Sequence, residues 1–168
     1  ISNLINYNCE LTLLDLQSNS SFNFNSCNAK VSEIIGDIKN SNIWKKVLNE
    51  IDIVFYLAAK TNIYDSISNP NEFYSINVEP IITMLEFCKN QKLKPSIIFS
   101  GTVTVYGLTN EFPVNESCSE NPLTIYDLHK LIVEKYLKYY SNNYGIKSVS
   151  LRLANVYGPG PSSKSNGR

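Results

Sequence analysis

The sequence has no long hydrophobic run, no excess of either charge and no closely spaced cysteines. No apolar run reaches the roughly 18 residues that a membrane span needs, and the start of the chain lacks the basic and apolar segments of a secretory signal. Lys plus Arg equals Asp plus Glu at 15 each, so no net charge attracts nucleic acid or an anionic membrane. The cysteines form no C-x-x-C pair, which excludes the usual zinc and redox motifs; they are Cys9, Cys27, Cys88 and Cys118. We expect a cytoplasmic protein with reduced, structural cysteines and with no nucleic-acid or membrane partner.

Glycine is scarce in the first part of the chain. The first of seven glycines is Gly36, so no glycine-rich turn from a strand into a helix precedes Asp15. The chain ends in "GPGPSSKSNGR", which has the composition of a loop. The 168 residues are 43% hydrophobic, which is enough to build the core of one domain.

Short apolar runs alternate with longer segments of helical period. The runs have the length and β-branched content of strands, and several are apolar enough to be buried on both faces. They cover residues 10–16, 32–38, 52–59, 96–101 and 147–155. Helices are predicted at 41–50, about 70–91 and about 122–143. Strands that alternate with helices predict an α/β fold with a mainly parallel sheet, whose ligands bind beyond the carboxyl ends of the strands.

The last predicted helix carries a Tyr and a Lys on one face. It begins at Asn121-Pro122 and ends near Gly145. Tyr126 and Lys130 lie four positions apart, so their side chains are neighbours. A phenol titrates at about 10, and a nearby ammonium favours the phenolate, which makes the Tyr a better base near neutral pH. The pair alone is weak evidence, because a Tyr at the edge of a core and a Lys on a solvated face have the same spacing.

Two flanking segments give the pair a context. A strand ending in "FSGTVTVYG" (99–107) precedes it, and "LRLANVYGPG" (151–160) follows it. A strand ending in hydroxyl residues and V-Y-G, then Y-x-x-x-K, then R-x-x-N-V-Y-G-P resembles the extended short-chain dehydrogenase/reductase family, specifically its nucleotide-sugar epimerases and dehydratases of the UDP-glucose 4-epimerase type. Upstream, "LTLLDL", "IIGDI", "VFYLAA" and "YSINV" resemble the same family. The resemblance covers residues 10–161 and implies a Rossmann-type, doubly wound parallel sheet.

The resemblance implies an NAD site at the strand ends. Asp15 would accept hydrogen bonds from the adenosine ribose, which favours NAD over NADP. Asp37 and Ile38 would flank the adenine. Three residues would bring backbone close to the pyrophosphate and the nicotinamide ribose, namely Leu57, Ala58 and Ala59. A loop carboxylate at Asp15 and ordinary strand packing at Leu57 stay open as alternatives.

Three further residues are expected near the nicotinamide. Asn77 would tie its helix to neighbouring backbone, and a purely structural role is left open. Ser100 would satisfy backbone groups beside the cofactor, and Gly101 would leave room for the cofactor. His129 lies between Tyr126 and Lys130 in the sequence, and we expect it on a solvated face of the helix.

The catalytic residues implied by the resemblance are Thr102, Tyr126 and Lys130. Tyr126 would be the general acid/base, and Lys130 would hold the nicotinamide ribose and lower the pKa of Tyr126; both also bind the cofactor. Thr102 would relay the proton of a sugar hydroxyl to Tyr126. Asn155 would contact the diphosphate of the nucleotide sugar, and Arg152 would be structural.

The implied reaction begins with oxidation of a sugar carbon to a 4-ketosugar. Relatives that eliminate water carry Asp-Glu directly after the catalytic Thr, whereas this chain has Val103-Thr104. The simplest outcome is therefore return of the hydride to the other face, which is 4-epimerisation. A NAD(P)-dependent 4-ketosugar reductase or a sugar dehydratase of the same family stays open, and so does a non-catalytic dinucleotide-binding protein on this fold.

The family pattern also has parts that this chain does not show. The family binds pyrophosphate with a glycine loop after its first strand, and it has a C-terminal substrate lobe. We interpret residues 1–161 as a partial NAD-binding domain, residues 162–168 as the start of a loop, and the chain as a fragment of a protein that is a homodimer when complete.

A piece of this kind should bind NAD poorly, because a missing central strand leaves sheet edges exposed. We expect calorimetry on residues 1–168 to detect no tight binding of NAD. Tight binding by these residues alone would contradict the interpretation.

Overall fold

The computed structural model describes residues 4–18, 28–110 and 112–157. The chain forms two compact units, residues 1–49 and residues 50–168. Cys27 and the expected boundary at residue 161 lie outside the described residues. None of the helices in the described part of the chain is long and apolar enough to cross a membrane.

In its described residues, the first unit contains two parallel strands and one α-helix. β1 (Glu10–Asp15) pairs with β2 (Lys30–Ile35), and α1 (Ser41–Val47) follows after a short loop. The Asn40 side chain caps α1 by accepting a hydrogen bond from the Asn42 N–H, which satisfies a donor that the first helical turn leaves unpaired. The buried residues of α1 are Ile43, Trp44 and Val47.

The second unit is a parallel three-stranded sheet with helices, in the strand order β3-β4-β5. Its strands are β3 (Ile53–Tyr56), β4 (Ser96–Thr102) and β5 (Ser148–Leu153). Its helices are α2 (Ile63–Ser68), α3 (Pro70–Asn77), α4 (Glu79–Lys89) and α5 (Ile125–Tyr144). The α/β class and the parallel pairing predicted from the sequence are confirmed.

One face of this sheet packs against the helices, and the other is half-exposed. Ile97 and Phe99 of β4 are 1% exposed, and helices α4 and α5 supply fully buried partners such as Met84 and Val133. Across the other face, Val149 keeps 51% of its surface exposed. The expectation that several strands are buried on both faces is therefore wrong for β5.

The helix predictions need two corrections. The single helix predicted at about 70–91 is two helices, which meet at Val78, because Pro80 in the first turn of α4 cannot donate a backbone hydrogen bond. The last helix begins at Ile125 and not at Asn121-Pro122. Its N-terminus is fixed by a reciprocal cap, in which Thr124 and Asp127 each accept a hydrogen bond from the other's backbone N–H. The predicted end holds, since Gly145 closes the helix in the left-handed conformation.

Two glycines of the second unit have positive φ but different surroundings. Gly107 has φ 61° and ψ −141°, and a Cβ there would overlap the Asn121 carbonyl oxygen. Gly145 has φ 68°, and a Cβ there would meet nothing within 4 Å.

We expect Gly145→Ala to lower the free energy of unfolding by about 1 kcal/mol, which is the cost of a left-handed non-glycine residue. Gly107→Ala should cost about 3 kcal/mol or more, because it adds a backbone clash to a conformation that is nearly exclusive to glycine. Urea unfolding of the whole protein measures both. Equal losses for the two variants would contradict the packing described around Gly107.

Candidate active site

The C-terminal end of β4 presents two hydroxyl side chains. Ser100 Oγ donates to the Tyr56 carbonyl oxygen at 3.3 Å, across to β3. Thr102 is 9% exposed, and its side chain caps a single 3₁₀ turn, Val103–Tyr106, by accepting the Thr104 N–H at 3.3 Å. The role expected for Ser100, satisfying backbone groups, matches its contact. The polar strand end thus serves to join β4 to β3 and to turn the chain after Thr102.

Lys130 of α5 reaches the same strand end. Its Nζ donates to the Ser100 carbonyl oxygen at 2.7 Å and lies 4.7 Å from the centre of the Phe99 ring. The residue is 3% exposed, and this burial lowers the pKa of its amine to about 8. The amine therefore retains its charge at neutral pH in a site that penalises charge.

Tyr126 lies one helical turn before Lys130, with Lys130 Nζ 5.8 Å from the centre of its ring. Burial raises the pKa of Tyr126, and the negative charge of Asp127 raises it further. In the chain by itself, these two effects outweigh any lowering of the Tyr126 pKa by Lys130. Desolvation acts against the phenolate, and the residue after the Tyr is an acid.

Asp127 is linked to Thr102 through a second hydroxyl. Thr104 Oγ1 lies 2.8 Å from Thr102 Oγ1 and donates to Asp127 Oδ1. The other oxygen of this 3%-exposed carboxylate accepts the Thr124 N–H at 3.2 Å. The sequence analysis assigned no chemistry to Thr104 and did not single out Asp127. The T-x-x-D spacing of the helix cap was the signal that could have indicated where the carboxylate lies.

The loop after β3 is held by Asn77. Asn77 Oδ1 accepts the Lys60 N–H at 2.8 Å, and its Nδ2 donates to the Lys60 carbonyl oxygen at 2.9 Å. Such a two-point contact fixes the backbone that follows Ala58 and Ala59. Leu57 is 67% exposed and lies outside β3, so the alternative of strand packing is wrong for it.

The three residues expected at the adenosine belong to the first unit. Asp15 ends β1, is exposed, and accepts the Gln17 N–H at 3.2 Å. Asp37 Oδ1 accepts the Lys39 N–H at 2.9 Å, and Ile38 beside it is half-buried. They follow the C-terminal ends of the two paired strands, which is the edge where parallel sheets bind ligands. Their ligand roles stay predictions.

Gly101 leaves no room for a ligand. A Cβ on it would lie 2.9 Å from Glu134 Oε1 and 3.2 Å from the Leu151 carbonyl oxygen. Glu134 in turn pairs with Arg152 at 2.7 Å, and Arg152 also contacts Glu120 at 2.6 Å. The expected role of Gly101 is therefore wrong, since its open side faces this ion network, and Arg152 has the structural contacts that we expected.

His129 is also not where the sequence analysis expected it. It is 6% exposed, and its ring packs edge-on against Tyr74 with ring centres 5.7 Å apart. Burial lowers the pKa of its imidazole. The expected solvated face is wrong because helices α2 and α3 pack against this part of α5.

The structure therefore brings together part of the predicted site. Lys130 contacts Ser100 and lies beside the Tyr126 ring where α5 crosses the end of β4, and Thr102 is the last residue of that strand. Asn155 follows β5 as an exposed residue, and its diphosphate contact stays a prediction. Among the described residues, no group of three or more His, Cys, Asp or Glu side chains could hold a metal ion.

The whole chain, residues 1–168, matches the model of the NAD dependent epimerase/dehydratase family. The chain belongs to this family. The expected family is confirmed.

Solved structures of epimerases have the same fold. A UDP-N-acetylglucosamine 4-epimerase from Methanobrevibacter ruminantium M1, in complex with UDP-N-acetylmuramic acid, is 32% identical with a TM-score of 0.77 and covers 88% of this chain and 48% of its own. A UDP-glucose 4-epimerase from Thermotoga maritima, with UDP-glucose, is 28% identical with a TM-score of 0.81, at 94% and 52% coverage. One from Bifidobacterium longum, in complex with NAD+ and UDP, is 25% identical with a TM-score of 0.80, at 89% and 47% coverage. The chain thus spans about half the length of each of these proteins.

The buried amine of this epimerase-family site makes stability depend on pH. The pKa of Lys130 in the folded protein, about 8, lies below the usual lysine value of 10.5. Between these values the unfolded chain binds more protons than the folded one, so stability rises with pH across this range.

We expect the free energy of unfolding of the whole protein, measured relative to a Lys130→Met variant, to increase from about pH 8 to about pH 10. Parallel urea titrations of both proteins at several pH values measure this difference, and the other titrating groups cancel. A difference that stays flat or falls over this range would show that the amine is not desolvated.

Proposed function

We propose that the protein is an NAD-dependent nucleotide-sugar 4-epimerase that acts on a UDP-sugar through a transient 4-ketosugar. The observation that carries the proposal is the buried junction at the end of β4. There the Lys130 amine donates to the Ser100 carbonyl oxygen beside the Tyr126 ring, and Thr102 lies at the same strand end. The family match and the UDP ligands of the similar structures support the substrate class.

The residues present fit NAD. Ala58 and Ala59 are small and follow a strand end, and the Asn77 contact fixes the backbone beside them. Asp15 offers an exposed carboxylate at the end of β1, which suits a ribose diol better than a phosphate. Lys130 has three N–H donors, of which Ser100 takes one. When bound, NAD supplies a hydride acceptor and a positively charged ring.

In the proposed reaction Tyr126 accepts the proton of the sugar 4-hydroxyl while carbon 4 gives up a hydride. Thr102 holds the sugar next to Tyr126, and the Lys130 ammonium favours the phenolate form of the base. Because burial and Asp127 raise the pKa of Tyr126, nearby positive charge is needed to stabilise the phenolate. After the ketosugar turns its other face to the hydride, Tyr126 returns the proton and the 4-epimer forms.

Asp127, the carboxylate that Thr104 links to Thr102, is not available to act on the sugar, and this favours epimerisation over dehydration. Elimination of water needs an acid and a base that reach the sugar. Asp127 is buried, and both of its oxygens already accept hydrogen bonds, from Thr104 and from the Thr124 N–H. A ketosugar reductase would use the same Thr, Tyr and Lys, so it is the second candidate. The expected cytoplasmic location and homodimer belong to this proposal as well.

We expect the whole protein to interconvert a UDP-sugar and its 4-epimer without added reductant. A panel of UDP-, GDP-, CDP- and dTDP-sugars, followed by chromatography with and without NADPH, measures this. Turnover that requires NADPH would select the reductase, and loss of water from the sugar would select the dehydratase.

Tyr126→Phe should lower kcat by at least about 10³-fold, because the acid/base is lost, while the bound NAD stays unchanged. Tyr136→Phe, on the same helix outside the site, is the matched control. Wild-type turnover in Tyr126→Phe would exclude Tyr126 as the base.

A further inference from the structure

A chain of side-chain hydrogen bonds leads from Thr102 away from the expected substrate position. It runs from Thr102 Oγ1 to Thr104 Oγ1 at 2.8 Å and from Thr104 Oγ1 to Asp127 Oδ1. Asp127 lies on the first turn of α5, and the two threonines flank the end of β4. The contact therefore connects the strand that carries Thr102 with the helix that carries Tyr126.

The donors and acceptors along this chain have only one consistent order. Asp127 Oδ2 accepts the Thr124 N–H, and Oδ1 accepts the Thr104 hydroxyl, so both oxygens of the side chain act as acceptors. A threonine hydroxyl has one proton, and Thr104 gives its proton to Asp127. Thr104 must then accept from Thr102.

The proton of Thr102 is consequently directed at Thr104. Thr102 Oγ1 also accepts the Thr104 N–H, which occupies one of its two lone pairs. One lone pair is left for a ligand. Thr102 can therefore accept a hydrogen bond from a sugar hydroxyl, but it has no proton to pass to Tyr126.

We propose that Asp127, acting through Thr104, is a positioning residue that fixes the Thr102 hydroxyl as a hydrogen-bond acceptor for the sugar. This inference rests on the proposed function. It replaces the expected proton relay through Thr102 by direct transfer from the sugar 4-hydroxyl to Tyr126. Because the single proton of the 4-hydroxyl goes to Tyr126, Thr102 accepts its hydrogen bond from a neighbouring hydroxyl of the sugar and holds the sugar for that transfer.

Removal of the Thr104 hydroxyl, which lies between Thr102 and Asp127, tests the proposal in the whole protein. Thr104→Val keeps the shape of the side chain but frees the Thr102 proton. We expect kcat for the UDP-sugar to fall about tenfold with KM within about twofold, because the sugar is still bound but less well oriented. Thr104→Ser should restore kcat. Asp127→Asn should add no further loss of kcat to Thr104→Val, because the two residues act through one contact.

Thr124→Ala distinguishes the proposed positioning role from a purely structural role in helix stability. This variant removes a hydroxyl from the same helix cap, which costs about 1 kcal/mol, but it leaves the carboxylate and Thr104 in contact. If Thr124→Ala lowers kcat as much as Thr104→Val does, the effect comes from helix stability and the proposal is wrong.

NMR of the whole protein with labelled threonine gives a readout that does not need turnover. Exchange of the Thr102 hydroxyl proton with solvent reports whether that proton is held in a hydrogen bond. We expect slow exchange in the wild type and in Thr124→Ala, and fast exchange in Thr104→Val. Fast exchange already in the wild type, or slow exchange in Thr104→Val, would overturn the positioning role even if the protein proves to have no epimerase activity. Absent epimerase activity with the expected exchange would overturn only the proposed function.

Discussion

The second unit depends on one buried charged contact, the hydrogen bond from the Lys130 amine to the Ser100 carbonyl oxygen. Burying an ammonium is costly, and the lowered pKa of Lys130 reflects that cost. The contact is kept where α5 crosses β4, so the position of the helix on the strand is defined at the point where Thr102 emerges. Tyr126 is then placed by helical geometry, one turn away on the same face.

The N-terminus of α5 adds a second constraint at the same place. The reciprocal cap of Thr124 and Asp127 starts the helix just before Tyr126, and Thr104 ties the capping carboxylate to the turn after β4. Tyr126 and Thr102 are therefore held in place by contacts of both the helix and the strand, at the point where α5 crosses β4. Asp127 also raises the pKa of Tyr126. The residue that helps to position the proposed base therefore makes it harder to ionise.

Much of the fold could be predicted from the sequence. The apolar runs indicated all five strands, and alternation with helices predicted their parallel order. The element ends were less predictable because they depend on single side chains. Pro80 divides one predicted helix, and the cap at Thr124 shortens another. The half-exposed face of β5 could not be seen either, since an apolar run is compatible with burial on one face or on two.

The predicted residues around β4 lie near one another, but the pKa of Tyr126 is raised and not lowered. Spacing placed Tyr126 next to Lys130, yet the pKa of the Tyr depends on burial and on Asp127, which only tertiary structure reveals. Gly101 was expected to leave room for the cofactor, but its open side faces Glu134, because the sequence does not say which side of the sheet α5 covers. Thr104 was passed over because it carries no charge, although its hydroxyl joins the strand to the helix.

The proposed reaction requires that carbon 4 of the sugar lose a hydride and regain it within one active site. A UDP-sugar with deuterium at carbon 4, converted by the whole protein in ordinary water, tests this requirement. We expect the 4-epimer to retain its deuterium at carbon 4, as measured by mass spectrometry and NMR. Replacement of that deuterium by hydrogen from solvent would contradict a transient 4-ketosugar formed by hydride transfer.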